Sequence, residues 1–541
     1  MVIPTPDSGI LDRLYANLVG SRGLVSFDVP ETILKRLYTY GSLEEVEDGV
    51  AFEVKNRLRD AEFAGVERIA IDGEEIALDR ARLETRDGGV VRNDDVSADD
   101  PLDFPVGRSV RVVLEDAELG KGEHDIAIDF VAEPFGELSL DVEDRIADDP
   151  FELTRLPREE GDANYTEEAA AERRDWLAEE SGAELDHVGS YSIAPEDTEG
   201  NIENFTGVAQ VPIGVAGPIE VEGEHASGEY PVPLATTEGT LVASYNRGIK
   251  ALNLSGGVTS TVVDDQMNRA PVFAFESARE ARDFRDWVRE HEAAISDEAE
   301  STSSVAELLE IEDYMTNNLA YLRFNYGTGD AAGQNMVSKA TFAACNWILD
   351  EYPGHVDHFY LEGNFATDKK HSKVNTLSSR GKRVTAEAVL PEDVLVHHLG
   401  AEPDSLERHA RIGTLGSFFS GANNNGCHAA NGLAALFVAT GQDEANIAES
   451  SAAMVHAERT PGGDARVSVT IPSMIVATYG GGTGIGTQRE CLEMMGCHGK
   501  GKAREFAEVA AGVVLAGELS LASAISASDW VTSHEAFGRN R

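Results

Sequence analysis

The sequence predicts an α+β protein in which a β-rich N-terminal part precedes a longer part of mixed strands and apolar helices. Three observations carry this. Residues up to about 146 alternate apolar and polar side chains at period two. Residues 272–361 run strand, helix, strand, strand, helix, strand. The last long segment, AREFAEVAAGVVLAGELSLASAISASDW, is helical in period and apolar over most of its surface, so it is expected to be buried.

The N-terminal strands are GVAFEVKNRL, VERIAIDG, SVRVVLED, HDIAIDFVAE and ELSLDVEDRI, with turn signals at Asp72-Gly73 and Asp87-Gly88-Gly89. Short alternating strands at this spacing predict an antiparallel β-sandwich-like domain over 1–146. The region carries no catalytic motif, and a regulatory or assembly role is expected. Residues 147–200 form an acidic connector, with a helix between Thr166 and Gly182. GNIENFTGVAQVPIGVAGPIEVEG then opens a new domain with strands and turns.

In PLATTEGTLVASYNRGIKAL, Thr236 or Thr237 is expected to cap a helix that buries Leu241, Val242 and Ala243, with Glu238 in its first turn. Two readings of Glu238 stay open. It is a first-turn carboxylate facing the helix dipole, or a carboxyl group among apolar neighbours, its pKa raised so that it can give a proton.

Within 272–361, VFAF is a strand, SAREARDFRDWVREHEAAI one helix, VAELLEIEDY and LAYLRFNY strands, AAGQNMVSKATFAACNWILDEY a helix and HFYLEG a strand. This βαββαβ order is that of a ferredoxin-like module. Its second helix opens at TGDAAGQNM, where small residues leave the first-turn N–H groups approachable. Such a terminus suits a dinucleotide pyrophosphate; a plainly capped helix fits the residues equally well.

Phe359–Lys382 stands out by composition. The chain has eleven lysines among 45 Lys+Arg, and Lys369, Lys370, Lys373 and Lys382 fall here, with Asp368 adjoining the first two. Lysine is a compact point charge able to meet an oxyanion in a closed site; an isolated DKK is otherwise a solvated loop. Beyond it, two apolar helices are expected to meet at Gly441-Gln442-Asp443, where Asp443 can serve as a cap. The Gly-rich turn around Gly481 and Gly482 feeds another helix and permits close backbone approach. His534 lies in a short tail after the buried helix, placed so that the tail can fold over a site.

At 541 residues, 42% of them hydrophobic, the chain has material for two to four full domains. Its formal charge of −51 argues against binding nucleic acid or an anionic membrane surface. Together with scarce lysine, it fits a protein working in high salt. The four cysteines, Cys345, Cys427, Cys491 and Cys497, form no CxxC pair, so neither a zinc site nor a disulfide framework is expected. The N-terminus lacks a secretory pattern, and the apolar run at Val513–Ala527 is interrupted by Glu518. A soluble cytoplasmic protein without metal is expected.

ENFTGVAQVPIGVAGP, LATTEGTLVASYNRG, MNRAPV, GDAAGQNMVSKA, GNFATDKK, HAANGLAALFVATGQD, YGGGTG and SHEAFGRNR follow the order of the 3-hydroxy-3-methylglutaryl-coenzyme A reductases. Over about residues 150–541 the chain resembles that family, and most the eukaryotic and archaeal class; the β-rich region lies outside the likeness. The resemblance implies a large helical substrate domain, 201–271 and 362–541, with the module at 272–361 inserted as an NAD(P)-binding domain. It implies reduction of an acyl-coenzyme A thioester to mevalonate and coenzyme A by two equivalents of NADPH, in a homodimer or higher homo-oligomer with sites at the subunit interface.

By the same resemblance Glu238 donates a proton, Lys369 stabilises the oxyanion, Asp443 links and tunes them, and His534 protonates the departing thiolate. Substrate contacts fall to Arg269, Asn364, Asp368, Lys370 and Asn431. Cofactor contacts fall to Asp330, Gly333, Asn335, Met336, Gly481 and Gly482. Three departures bear on this assignment. Glu362 stands where the family often has Ser, which adds a carboxylate beside a carboxylate substrate. HSKVN replaces the more usual Pro-Ala-Ala-Ile-Asn. Ser304 stands where relatives commonly place Arg against the 2′-phosphate, which keeps NADH beside NADPH as a reductant. The competing readings are a paralogue acting on another branched acyl-coenzyme A, supported by Glu362, and a non-catalytic assembly platform built on the β-rich region.

Overall fold

Strict alternation shapes the first unit. In the strand Gly136–Ile146 every second residue is buried, and Leu140 and Val142 lie opposite Ile128 and Ile126 of Gly122–Glu133. One side chain in two can then face a core while its neighbours face water. The computed structural model describes residues 34–527 except 47, 58–60, 86–88, 98–99, 106, 134, 147–155, 160 and 304. The chain divides into two units, Met1–Thr154 and Arg155–Arg541.

The first unit holds two antiparallel sheets. One runs Glu44–Val46, Gly49–Lys55, Ser109–Glu115, Ala81–Thr85, Val90–Arg92. The other runs Gly136–Ile146, Gly122–Glu133, Ala61–Ile71, Glu74–Ile76, with Leu102–Phe104 also paired to Ala61–Ile71. Phe52, Leu83, Val112 and Leu114 of the first meet Ile69, Ile128, Phe130 and Leu140 of the second in one core. Each such side chain contributes roughly 1.5–3 kcal/mol by leaving water.

In the second unit the helix Glu167–Ser181 starts and stops as its sequence dictates. Thr166 Oγ1 accepts the Ala169 N–H, and Gly182 ends it in the left-handed region at φ 68°. Its buried Arg173 donates to the carbonyls of Pro157, Asn164 and Phe205, binding the segments on either side to the helix.

A single run of strands then crosses the unit: His358–Tyr360, Val272–Ala274, Leu319–Gly327, Val258–Arg269, Gly381–Leu390, Ala465–Met474, Met454–Arg459. Its two halves join where Met267–Arg269 pairs with Phe324–Tyr326. In the first half, Glu307–Thr316 adds to the far edge of Leu319–Gly327. Counted by sequence, the four strands of residues 272–360 lie in the order fourth, first, third, second, all antiparallel. Phe273, Phe284, Phe324 and Ile348 share their core.

The single helix expected over 277–295 is two, Ala278–Glu290 and Glu292–Ser301. They break at His291, whose ring stacks on Trp287 with centroids 4.2 Å apart and whose Nδ1 lies 2.8 Å from the Trp287 carbonyl.

The other half is built around the helix Ala503–Ser526. Among the described residues this helix is long and apolar enough to cross a membrane, and most of it is buried within the unit. Its Glu508 is buried too, because both carboxylate oxygens accept backbone N–H groups, those of Glu224, His225 and Ala226 at a hairpin turn. The helix crosses Leu241–Leu254 at backbone contact: a Cβ on Gly248 would stand 1.9 Å from the Ala516 carbonyl oxygen.

Candidate active site

The lysine loop is held in an unusual backbone. Asn364, Thr367 and Lys369 have φ of 59°, 55° and 56°, three non-glycine residues in the left-handed region within six positions. Each costs about 1 kcal/mol or more, and such conformations persist only where surroundings over-determine them. Ser372 caps the short helix Lys373–Leu377 that closes the loop, so the HSKVN departure retains a working helix start.

Lys369 Nζ lies 3.0 Å from Asp443 Oδ2, both partly exposed. Asp443 reaches this place because the helix Ala429–Thr440 ends at Gly441, in the left-handed region at φ 67° and tight against Gly482. A Cβ on Gly441 would sit 2.3 Å from the Gly482 carbonyl oxygen, so glycine is required by space as well as by φ. Gln442 fixes the neighbouring chain by donating to the Ala477 carbonyl and accepting the Ala477 N–H at 2.7 Å. The second apolar helix expected after Asp443 is one short turn, Ile447–Ser450, entered through Glu444–Asn446. Asp443 caps that entry through the Ala445 N–H.

Gly333, Asn335, Met336, Gly481 and Gly482 share with Asp443 a cleft of about 400 Å³ between the start of the helix Gln334–Glu351 and the Gly-rich turn. Gly333 occupies the N-cap at φ 79°, and a Cβ there would press on Thr328. Gly333, Gly441 and Gly480–Gly482 leave backbone open in the cleft wall, which suits close approach of a phosphate-bearing ligand.

Charged residues surround the loop. Arg269 meets Glu362 at 3.0 Å and Asp368 at 3.9 Å. Arg380 and Glu449, both with fully buried side chains, meet at 2.6 Å, and Arg380 also contacts Asp368 at 2.8 Å. The Glu449 carboxylate accepts the Lys369 backbone N–H. Burial pushes the Glu449 carboxyl up to about 7, against the opposing pull of the Arg380 guanidinium.

The remaining expected residues are held by other contacts. Glu238 is exposed in the single chain and lies ahead of the first helical turn, so neither surrounding expected for it is found. The reason is local: Thr240 takes the N-cap at φ 73°, the helix starts only at Leu241, and Thr236 Oγ1 accepts the Glu238 N–H instead. Among the described residues no hydrogen bond or ion pair joins the Glu238 carboxylate to Lys369 or Asp443. Asp330 spends its carboxylate on the Gly501 and Ala503 N–H groups, at the start of the long buried helix. Asn431 pairs with His428 Nδ1 at 3.2 Å, and Lys370 Nζ donates to the Asp368 carbonyl. Ser304 and His534 lie outside the described residues. Sequence reasoning missed Glu449, Arg380 and Gln442. Arg380 sits in the motif RGK and Glu449 six residues after Asp443, but one more Glu in so acidic a chain carries no signal.

A strained lysine loop beside a cleft lined by Gly333 and Gly480–Gly482 makes a candidate ligand site in a protein of the α+β class. The chain belongs to the hydroxymethylglutaryl-coenzyme A reductase family: the model for Hydroxymethylglutaryl-coenzyme A reductase matches residues 169–539. Residues 33–147, which sequence reasoning left without a family, match the model for the Hydroxymethylglutaryl-CoA reductase, N-terminal domain. The 3-hydroxy-3-methylglutaryl-coenzyme A reductase of Pyrococcus abyssi is 44% identical over 68% of this chain and 92% of its own length. The Haloferax volcanii protein of the same name is 41% identical over 73% of this chain and 98% of its own. A class II reductase from Streptococcus pneumoniae, solved with NADPH in open conformations, superposes with a TM-score of 0.51 at 19% identity. That superposition covers 66% of this chain and 96% of the other, and shows the shared fold.

Proposed function

We propose that this chain reduces the thioester of hydroxymethylglutaryl-coenzyme A to mevalonate and free coenzyme A, with Lys369 and Asp443 at the reacting carbonyl. The observation that carries it is the 3.0 Å Lys369–Asp443 pair at the mouth of a cleft walled by Gly333, Asn335, Met336, Gly481 and Gly482. The cleft fits a dinucleotide, and two NADPH molecules held there in succession would each supply one hydride; the module of residues 272–361 is its domain.

Reduction of a thioester carbonyl places negative charge on oxygen, which a positioned cation stabilises more in the transition state than in the ground state. The Lys369 ammonium is that cation, and Asp443 holds it in place. Collapse of the tetrahedral adduct breaks the C–S bond, and the thiolate needs an acid of its own, which His534 provides from the tail. The aldehyde that remains gains a second hydride at carbon and a proton at oxygen, the latter from Glu238. Arg269 faces the substrate's carboxylate, beside Asp368, Asn364, Lys370 and Asn431. With Glu238 exposed and unconnected to Lys369 in one chain, the site is completed in a homodimer.

Ile412, Leu415, Phe418 and Phe419 support association: they are exposed on the helix Pro403–Ser420, Phe419 to 94%. The charge of −51 supports a cytoplasm of high salt.

The test is turnover in high salt, following nicotinamide absorbance with hydroxymethylglutaryl-coenzyme A and with other branched thioesters. Lys369→Ala should lower kcat by on the order of 10²–10³ or more, the loss expected for one oxyanion donor. Turnover near that of the unaltered protein would remove Lys369 from the mechanism.

A further inference from the structure

We infer that the buried Glu449–Arg380 pair is a positioning device that fixes the Lys369 backbone and so aims its ammonium at the reacting oxygen. The inference rests on the role proposed above for Lys369.

The loop carries strain that must be held by something. Lys369 has a φ of 56°, a region that L side chains avoid. Its backbone N–H donates to Glu449 Oε1, and Arg380 Nη1 reaches the same oxygen at 2.6 Å. Arg380 Nη2 stands 2.8 Å from Asp368 Oδ1, an ion contact off the line of an aligned hydrogen bond. Two successive residues of the loop are therefore gripped by one pair, Asp368 by its side chain and Lys369 by its backbone.

Asn375 extends the grip backward. Its Nδ2 lies 2.7 Å from Thr367 Oγ1, 3.4 Å from the Ala366 carbonyl and 3.5 Å from Glu449 Oε2. Asn375 Oδ1 in turn accepts from Arg323, a fully buried guanidinium paired with Glu312 at 2.6 Å. Residues 366–369 thus rest on a chain of buried polar contacts that runs into the strands Leu319–Gly327 and Glu307–Thr316.

Chain geometry makes the device double-ended. Glu449 lies on the turn Ile447–Ser450, six residues beyond Asp443. One short segment therefore delivers both the carboxylate that meets the Lys369 ammonium and the carboxylate that holds its N–H. Fixing a lysine at both ends limits where its ammonium can go, and a displacement of about 1 Å at a reacting group can cost on the order of 10²-fold in rate. The pair is costly to bury and is strongly destabilising when only one charge is removed, so the choice of variant matters.

Three full-length variants, Glu449→Asp, Glu449→Gln and Lys369→Ala, and the double variants of each Glu449 change with Lys369→Ala, are assayed with circular dichroism to establish folding. Glu449→Asp keeps the charge for Arg380 but is one methylene too short to hold the Lys369 N–H as well. It is the variant that decides should Glu449→Gln fail to fold. Both should lower kcat by about 10- to 100-fold, with KM for thioester and for NADPH changed less than about threefold. In the Lys369→Ala background neither should lower kcat further, because a residue acting only through Lys369 has nothing left to position. A folded Glu449→Asp protein with unaltered kcat overturns the inference, as does a loss that multiplies with that of Lys369→Ala. Unaltered turnover in Lys369→Ala alone would instead overturn the role of Lys369, and the two failures are told apart in one experiment.

Discussion

At the scale of single residues, the proposal that Arg269 faces the substrate's carboxylate meets the ion pair that Arg269 already makes with Glu362. Their 3.0 Å contact leaves Arg269 only 13% exposed, and Glu362 also takes the Asn364 N–H at 2.6 Å. A substrate carboxylate that reaches for Arg269 must compete with a carboxylate already there. Glu362→Ser should therefore lower KM for the anionic thioester several-fold with kcat little altered, a gain in binding shared by ground and transition states. Steady-state kinetics at fixed ionic strength check this; an unchanged KM would place Arg269 off the substrate's path. The sequence makes Glu362 conspicuous as a departure, but not its partner, since nothing in linear order pairs residue 362 with residue 269. Lys369 was legible for the opposite reason, as a lysine in a chain that avoids lysine. Glu449 was invisible, because its meaning comes from being fully buried, and composition alone cannot separate it from its many exposed neighbours of the same kind.

At the scale of elements, periodicity carried most of the information where each strand or helix has one wet face. The alternation of Gly136–Ile146 and the capped helix Glu167–Ser181 could both be read from residues alone. Helix starts set by backbone geometry could not: Thr240 takes a left-handed cap that moves Glu238 out of its helix. Close helix crossing was also hidden, because Gly248 looks like an ordinary helix weakener until Ala516 is found against it. Gly248→Ala would drive a methyl group into the Ala516 backbone, which cannot rotate away, and should destabilise the protein by about 1–3 kcal/mol. Urea unfolding in constant high salt measures it; a neutral or stabilising result would show that the two helices slide apart freely.

The first unit has a pH-sensitive element of its own. His124 Nδ1 lies 2.7 Å from Asp72 Oδ2, and Nε2 lies 2.7 Å from the Gly120 carbonyl. The Asp72 hydrogen bond raises the His124 pKa above 6.5, and the same bond lowers that of Asp72 below 3.8. A raised folded pKa stabilises fully below the unfolded value and is lost as pH climbs through the folded one. For Asp72 the sign reverses, and its share is lost as pH falls. The pair therefore supports this unit best between about pH 4 and 6.5. The melting difference between the unaltered chain and His124→Gln should shrink as pH is raised from 6 to 8.5. A difference constant across that range would show that folding leaves the His124 pKa unchanged, and one that grows would show that folding lowers it.

At the scale of the whole molecule, the question is what the first unit adds to the second. Each unit has its own apolar core, Phe52 to Leu140 in one and the surroundings of Ala503–Ser526 in the other. Every residue placed here at the reacting centre or in the cleft, from Glu238 to His534, comes from beyond Thr154. On the proposed assignment the chemistry lies in the second unit, and a chain beginning at Arg155 should fold and turn over with kcat within about threefold of the full protein, since domains with separate cores fold separately. The trial is run in high salt, because at 1 M the screening length falls to about 3 Å and carboxylates cease to repel over distance. Sedimentation and circular dichroism would establish that the shortened chain is folded and in the same oligomeric state before its rate is taken. A folded, equally associated truncation without turnover would mean that the β-sandwich unit completes or orders the active site, and the division of labour argued here would be wrong.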